Sequence, residues 1–556
     1  MAGPIGAGPF SLCHALLLLA LRPLPPRLAK ALSVALVLAW GGQMALLVRH
    51  AYLETTPVAL AADLARYGSS AQWKGVYYRG EKIGFVVSQI LPADGGYELQ
   101  EDGQLRMSLL GSSTAARLRT TMQVDTAFAL RRFSFSLDPG TGPISVDGTL
   151  EGRRLSLEMK TPSGTRSETR DLDEAPVLTL NLSRRLAAEG LSPGRRLDVT
   201  VFDPATLRNA PMSVLVKGRE VVQAGGRPMP AFRVETSFGG VSATSWITDL
   251  GEVVKEESAM GLVVVKETRE RATSQSVPGS VQTDMLQAAA VVPTTRERID
   301  DARGVARLRV RLEGATFLAT ELDGAGQTVA GDIFEIRDLQ QARPGKADPE
   351  AARYLAAEAF VESDDPEILA EAKRAVRGVE GARAQAERLV RHVNAILEKK
   401  PTVSLPSARE VLRTRVGDCN EHTTLYVAMA RALGVPARMA VGLVHLHGAF
   451  YYHAWAEVYL AGPGAAQGLW LPVDPTLNEF PADATHIRLA RGGLDRQAVI
   501  LGALGRLKMS ILEIDRKPGY APVLVGRTDG AFGPLDIPLP RIDGTGGPTC
   551  WSRPGR

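Results

Sequence analysis

The stretch RVGDCNEHTTLYVAMARALGVPAR, Arg415 to Arg438, decides how the rest of the chain is read. Asp418 is suited to cap a helix, Leu425, Met429, Ala432 and Leu433 recur on one face, and Gly434 with Pro436 beyond it ends the helix. Cys419, one of three cysteines in the chain, therefore stands at or beside the first turn of an amphipathic helix. The partial positive charge of a helix N-terminus favours a thiolate over a thiol, and backbone N–H groups there can hold an oxyanion.

A sulfur nucleophile also needs a proton donor for the leaving group, so a histidine must be brought close by the fold. The segment GAFYYHAWAEVYL, 448–460, supplies His453 on a strand: Tyr452, Ala454, Ala456, Val458 and Leu460 share one face, while His453, Trp455 and Glu457 point the other way. A further strand, LWLPVDPTLNE, 469–479, carries Asp474 at its end before Pro475. A carboxylate there can hold the imidazole in one tautomer and support its positive charge.

The order Cys419, His453, Asp474, on a helix followed by two strands, resembles the transglutaminase-like superfamily, which shares the core of the papain-like thiol enzymes. Gly417-Asp418-Cys419 is similar to the nucleophile motif of that family, and Arg431 to Arg438 to its helix exit. Tyr452 to Val458 is similar to the histidine strand, and Trp470 to Pro475 to the aspartate strand. The resemblance implies Cys419 as nucleophile, His453 as general base and acid, and Asp474 as its orienting partner. It covers Asp365 to Leu494, under a quarter of the chain, and leaves the reaction open among cross-linking transferases, peptidases, deamidases and peptide N-glycanases. No segment resembles an EF-hand loop, which disfavours calcium-dependent cross-linking.

Two other classes compete. Cys419-x-x-His422 and His445-x-His447, with His453 and Asp474, would supply enough ligands for zinc, although no second C-x-x-C or H-x-x-x-H reinforces them. Alternatively the domain binds peptides without catalysis. Asn420, His422, Tyr452, Trp455 and His486 are candidate cleft residues, each of which could equally serve packing or the surface. No cofactor is expected.

Outward from this centre, Asp365-Pro366 reads as an N-cap with proline at the first helical position, followed by Ile368, Leu369, Ala372 and Val376 on one face. Leu389, Val390, Val393, Ile396 and Leu397 form a second stripe, ending in Lys399-Lys400. From Gln72 to Thr268 the period is two, as in Phe133, Phe135 and Leu137, with turn signals at Asp94-Gly95-Gly96, Asp138-Pro139-Gly140 and Asp147-Gly148. Ser245 to Val254 reads as a hairpin and Leu182 to Leu191 as a helical insertion. This region is expected to be a scaffold, or a curved sheet holding a lipid or peptide. Ser274 to Ser280 reads as a linker, and Arg307 to Ile336 as a small sheet of its own.

The N-terminus is different. Ala31 to Val48 carries no charge, and its eighteen residues come close to the thickness of a bilayer core. Arg22, Arg27 and Lys30 precede it and Arg49 stands almost alone after it, which leaves the N-terminus in the cytoplasm and exports the rest. No A-x-A site follows, so an uncleaved signal anchor is favoured over a cleaved signal peptide. A net charge of +4 spread over 556 residues gives no footprint for nucleic acid. Three distant cysteines make no disulfide framework, and an exposed Cys550 is expected in the tail.

The expected fold class is α+β, in a bacterial single-pass protein of the inner membrane whose bulk lies in the periplasm or outside. The segments are 1–30 cytoplasmic, 31–48 transmembrane, 70–272 β-rich, 283–345 a small β module, 350–510 the transglutaminase-like domain and 517–556 an extended tail. The expected activity is a cysteine hydrolase (peptidase or amidase) or acyl transferase acting on a peptide or protein.

Overall fold

The period-two stretches between Gln72 and Glu267 fold as one antiparallel sheet, fourteen strands among the described residues. The computed structural model describes residues 67–524 apart from 69, 110–111, 140–141, 173–175, 205–206, 239–240, 259–260, 275–289, 315–321, 401–406, 462–466, 493–505 and 521–522. The chain divides into two units, Met1–Ser69 and Ser70–Arg556. The apolar segment 31–48, Cys13, Cys550, most of the 274–280 linker and the tail beyond 524 lie outside the described residues. Among the described residues no helix is long and apolar enough to cross a membrane.

The sheet is two meanders, one of eight strands over 72–171 and one of six over 196–267. They join where the first strand pairs the last, from Trp73 opposite Glu267 to Tyr78 opposite Leu262. Turn chemistry sets the register locally: the second strand ends at Ala93, Gly95 takes φ of 72°, and the third begins at Gly96. Asp147-Gly148, expected as a turn, instead lies inside the strand Ile144–Glu151. Gly148 is there for space, since a Cβ would lie 2.1 Å from the Phe133 ring. The helical insertion is Thr179–Ala188. A cavity of about 330 Å³ on this sheet is lined by polar and charged residues such as Lys74, Glu101 and Arg184 and by apolar ones such as Val86, Leu99 and Val264.

The remaining described chain builds two sheets of four and five strands, beside two short pairings, Glu297–Arg298 with Val523–Leu524 and Glu398–Lys399 with Val416–Gly417. One has five strands in the order Gly345–Lys346, Gln467–Val473, Ala449–Ala461, Ala437–Leu446 and Ile487–Arg491. Helices Pro366–Ala375, Ala382–Ile396, Ala408–Thr414 and Cys419–Ala432 share with it a core that includes Ile368, Leu389, Val427, Met429, Val458 and Val473. Asp365 caps the first of these helices, accepting from Glu367 N at 2.8 Å and Ile368 N at 3.3 Å. The Cys419 helix departs from the one-sided pattern: every residue from Glu421 to Arg431 is buried, as in a helix enclosed by its neighbours.

The other sheet has the order Gln327–Ala330, Ile333–Arg337, Val305–Glu313, Lys508–Arg516. It is not self-contained, because its fourth strand comes from the far end of the described chain, pairing Val310 with Ile511. Leu308, Val310, Leu312, Phe334 and Ile336 of this sheet share an apolar cluster with Cys419, Phe450, Tyr452 and Ala454, so the small sheet covers the surroundings of Cys419. Taken together the described protein is mostly β with some helices, a large antiparallel sheet followed by the smaller mixed region.

Candidate active site

Asp418 caps the Cys419 helix by accepting from Asn420 N at 2.9 Å, and Glu421 reaches back to accept from Asp418 N at 2.8 Å. This reciprocal box explains the glycine before Asp418. A Cβ on Gly417 would lie 2.2 Å from Glu421 Cβ. Gly417→Ala is therefore expected to lower stability by about 1–3 kcal/mol through displacement of the capping carboxylate. Thermal melting checks this, and an unchanged melting temperature would show that Glu421 can step aside.

Cys419 is 3 % exposed. Its thiol takes a hydrogen bond from the backbone at Ala454, on the strand Ala449–Ala461 that carries His453. The expected thiolate is not what this environment favours. Burial pushes the thiol well up, the carboxylates of Asp418, Glu421 and Asp474 add to it, and the Ala454 hydrogen bond offsets only part. The helix terminus still offers its N–H groups.

His453 and Asp474 are both fully buried, with His453 Nε2 at 2.7 Å from Asp474 Oδ2. The other carboxylate oxygen accepts from Thr476 N at 2.7 Å and Leu477 N at 2.9 Å. Asn394 clamps the same turn, donating to the carbonyls of Pro475 and Thr476 at 2.9 Å each. Burial works against the Asp474 charge, but His453 and His486 outweigh it and hold the carboxyl well below its usual range.

The cleft candidates separate into distinct roles. His486 joins the centre: its Nε2 lies 3.0 Å from Asp474 Oδ2, and Trp455 meets its ring edge-on at 5.2 Å. Tyr452 borders Cys419, and burial, with the charges of Cys419 and Asp418 adding, raises its phenol. His422 is buried with Nδ1 2.7 Å from the Asp418 carbonyl, and burial pulls it down to about 4, so the ring is neutral. Asn420 sits half-buried in the first turn, its N–H spent on the cap. His445 packs against the Phe450 ring at 5.2 Å and His447 is exposed, so of the set proposed for zinc these two stand in environments of their own while His453 and Asp474 stay together.

Three participants were not singled out from sequence. Lys399, read as a helix-end charge, lies near enough to Asp474 and His422 to act on both, and burial lowers it. Asn394 carries no local signal beyond a polar residue on a helix. Glu457, on the same face as His453, is 1 % exposed and accepts from Arg438 Nε at 2.7 Å, from Arg488 Nη1, and from Arg491 Nε at 3.2 Å. It is a structural anion rather than a second catalytic acid, held well below the usual carboxylate range by the three guanidinium groups against the cost of burial.

Residues 368–475 match the family model described as the Transglutaminase-like superfamily. Among solved structures, a candidate cysteine protease of Cytophaga hutchinsonii is 14% identical with a TM-score of 0.26, covering 40% of this chain and 90% of its own. A β-barrel-like protein of Brucella abortus is 14% identical with a TM-score of 0.29, covering 35% of this chain and 96% of its own. A candidate protease of Parabacteroides distasonis is 10% identical with a TM-score of 0.18, covering 69% of each chain. None of the curated proteins compared matches this chain. It is the family-model match that places the domain: residues 368–475 form a transglutaminase-like superfamily domain, and Cys419, His453 and Asp474 all fall within it.

Proposed function

We propose that this protein is a cysteine-nucleophile hydrolase or acyl transferase acting on amide bonds of a peptide or protein, held at the inner membrane by its N-terminal segment with the bulk of the chain outside the cytoplasm. The observation that carries the reading is the fully buried His453–Asp474 hydrogen bond of 2.7 Å on the strand whose Ala454 backbone bonds the Cys419 thiol at a capped helix N-terminus. Asp474 occupies Nε2, which leaves Nδ1 as the nitrogen that takes the thiol proton. Because burial holds the thiol protonated, that proton moves as the sulfur attacks, not before. The S–C bond forms, His453 passes the proton to the leaving nitrogen, and the C–N bond breaks. Water or a second amine then attacks the thioester, giving an acid or a new amide and restoring the thiol.

The test is acylation of the full chain by p-nitrophenyl acetate, read by intact and peptide mass. One acyl group is expected on Cys419, none in Cys419→Ala, and a rate lower by about 10²–10⁴ in His453→Ala. Acylation elsewhere, or at Cys419 at a rate indifferent to His453, would sink the reading. The burial of Cys419 favours a second one, a peptide-binding scaffold without turnover, which predicts peptide binding with Cys419 left unmodified.

A further inference from the structure

Resting on the reading above, we infer that His486 is a positioning residue for the catalytic pair: a standing imidazolium that shares the Asp474 carboxylate with His453 and thereby limits how strongly Asp474 can stabilise a protonated His453. His486 lies beyond the segment 368–475 that matches the family model, so the match itself gives it no role.

The geometry fixes its charge. Nε2 faces Asp474 Oδ2 at 3.0 Å, while Nδ1 faces the Asp483 carbonyl at 3.2 Å and Asp483 Oδ1 at 3.3 Å. All three oxygens can only accept from it, and a ring that donates from both nitrogens is an imidazolium. Asp483 is itself fixed as an acceptor, with Thr485 N at 2.9 Å and Thr485 Oγ1 at 2.6 Å on the same oxygen. Burial opposes the charge, but the bonds to Asp474 and Asp483 and the nearby Asp483 and Glu479 carboxylates prevail, holding His486 up to about 10.

Both histidines address the same carboxylate oxygen, at 2.7 and 3.0 Å, and their ring centroids are 5.9 Å apart. A second positive charge on His453 would therefore meet a fixed one across that distance. The other charged or titratable groups around this centre are Cys419 and Glu421 on the nucleophile helix, Asp418 at its cap, neutral His422, Lys399, and Glu479, which is paired with Arg303 at 3.5 Å. Among them His486 is the cation bonded directly to Asp474. Its consequence is that any charge gained by His453 works against one already standing on the same carboxylate oxygen.

The experiment is a histidine-ring NMR titration of the full chain, with its eight histidines assigned by single substitutions. Two results are expected. Both ring nitrogens of His486 carry protons at neutral pH. In His486→Gln, which keeps a donor for Asp474 without the charge, the protonation midpoint of His453 rises by about one to two pH units relative to the parent, the size expected for like charges about 6 Å apart at an effective dielectric near 20. His486→Lys, which keeps a charge, moves it less. A neutral His486 ring, or an unmoved His453 midpoint in a folded His486→Gln protein, overturns the inference. Neither readout needs turnover, so absence of Cys419 acylation with the titration shift intact would remove the catalytic reading alone.

Discussion

Glu457→Gln is expected to lower stability by about 3–5 kcal/mol, a loss on the scale of a broken buried ion pair. The glutamate is 1 % exposed and is the common acceptor for Arg438, Arg488 and Arg491. Glutamine removes the anion and turns an N–H₂ group toward donors. The guanidinium groups cannot simply leave. Arg438 lies 3.8 Å over the Trp470 ring, and Arg488 Nη2 and Arg491 Nη2 are tied to the carbonyls of Leu322 and Asp323 at 2.6 and 2.8 Å. Three buried or half-buried cations would then face one another without the Glu457 charge they share. At roughly 2–4 °C per kcal/mol for a cooperative unit of this size, melting should drop by about 10 °C. A change under about 1 kcal/mol in thermal or denaturant unfolding would show that the cluster is screened by solvent.

The second large effect is a bell-shaped dependence of stability on pH, centred between about 6 and 7. His422 is neutral and drawn down to about 4 by burial, while the unfolded ring protonates near 6.5, so the unfolded state binds the extra proton and stability is lost as pH falls from 6.5 toward 4. His486 works in the opposite sense. Its folded value of about 10 lies above 6.5, so its contribution is complete below 6.5 and is lost as pH rises toward 10. Cys419 adds to the alkaline loss, because the unfolded thiol ionises first. By the size of these shifts each limb is on the order of 3–5 kcal/mol. Melting temperatures from pH 4 to 10 should show both limbs in the parent, a flattened acid limb in His422→Gln and a flattened alkaline limb in His486→Gln. A curve flat across that range in the parent would refute the assignment of both charges.

What was legible in sequence was what the chain decides locally. Asp418 before a helical apolar pattern, Asp365 before Pro366, and Ala93 through Gly96 each carry their own signal within a few residues. The local elements around Cys419, His453 and Asp474, a capped helix and two strands, were likewise legible because each has its own local frame. Contacts across the fold were not. Gly148 reads as a turn until Phe133 from the neighbouring strand fills its missing Cβ. The N-terminal position of Cys419 implies an anion, yet its ionisation is set by an apolar cluster that includes Leu308 and Val310, more than a hundred residues upstream. His486 could be placed near the site but not charged, since its second bond depends on how the chain after Asp474 folds back on it.

The junction of the two meanders carries a mechanical consequence. The first strand begins and the last one ends at the same end of one antiparallel pair, with Trp73 opposite Glu267. Tension between the chain ahead of Gln72 and the chain beyond Glu267 would therefore load that pair first, shared only with the second strand through Lys82, which bonds Glu267 and the Arg271 carbonyl. It would also peel the rungs one after another instead of shearing them together, because both points of pull sit at the same end of the ladder. Broad and well paired as it is, the great sheet would act under tension as a zipper, yielding first at Trp73 and Glu267.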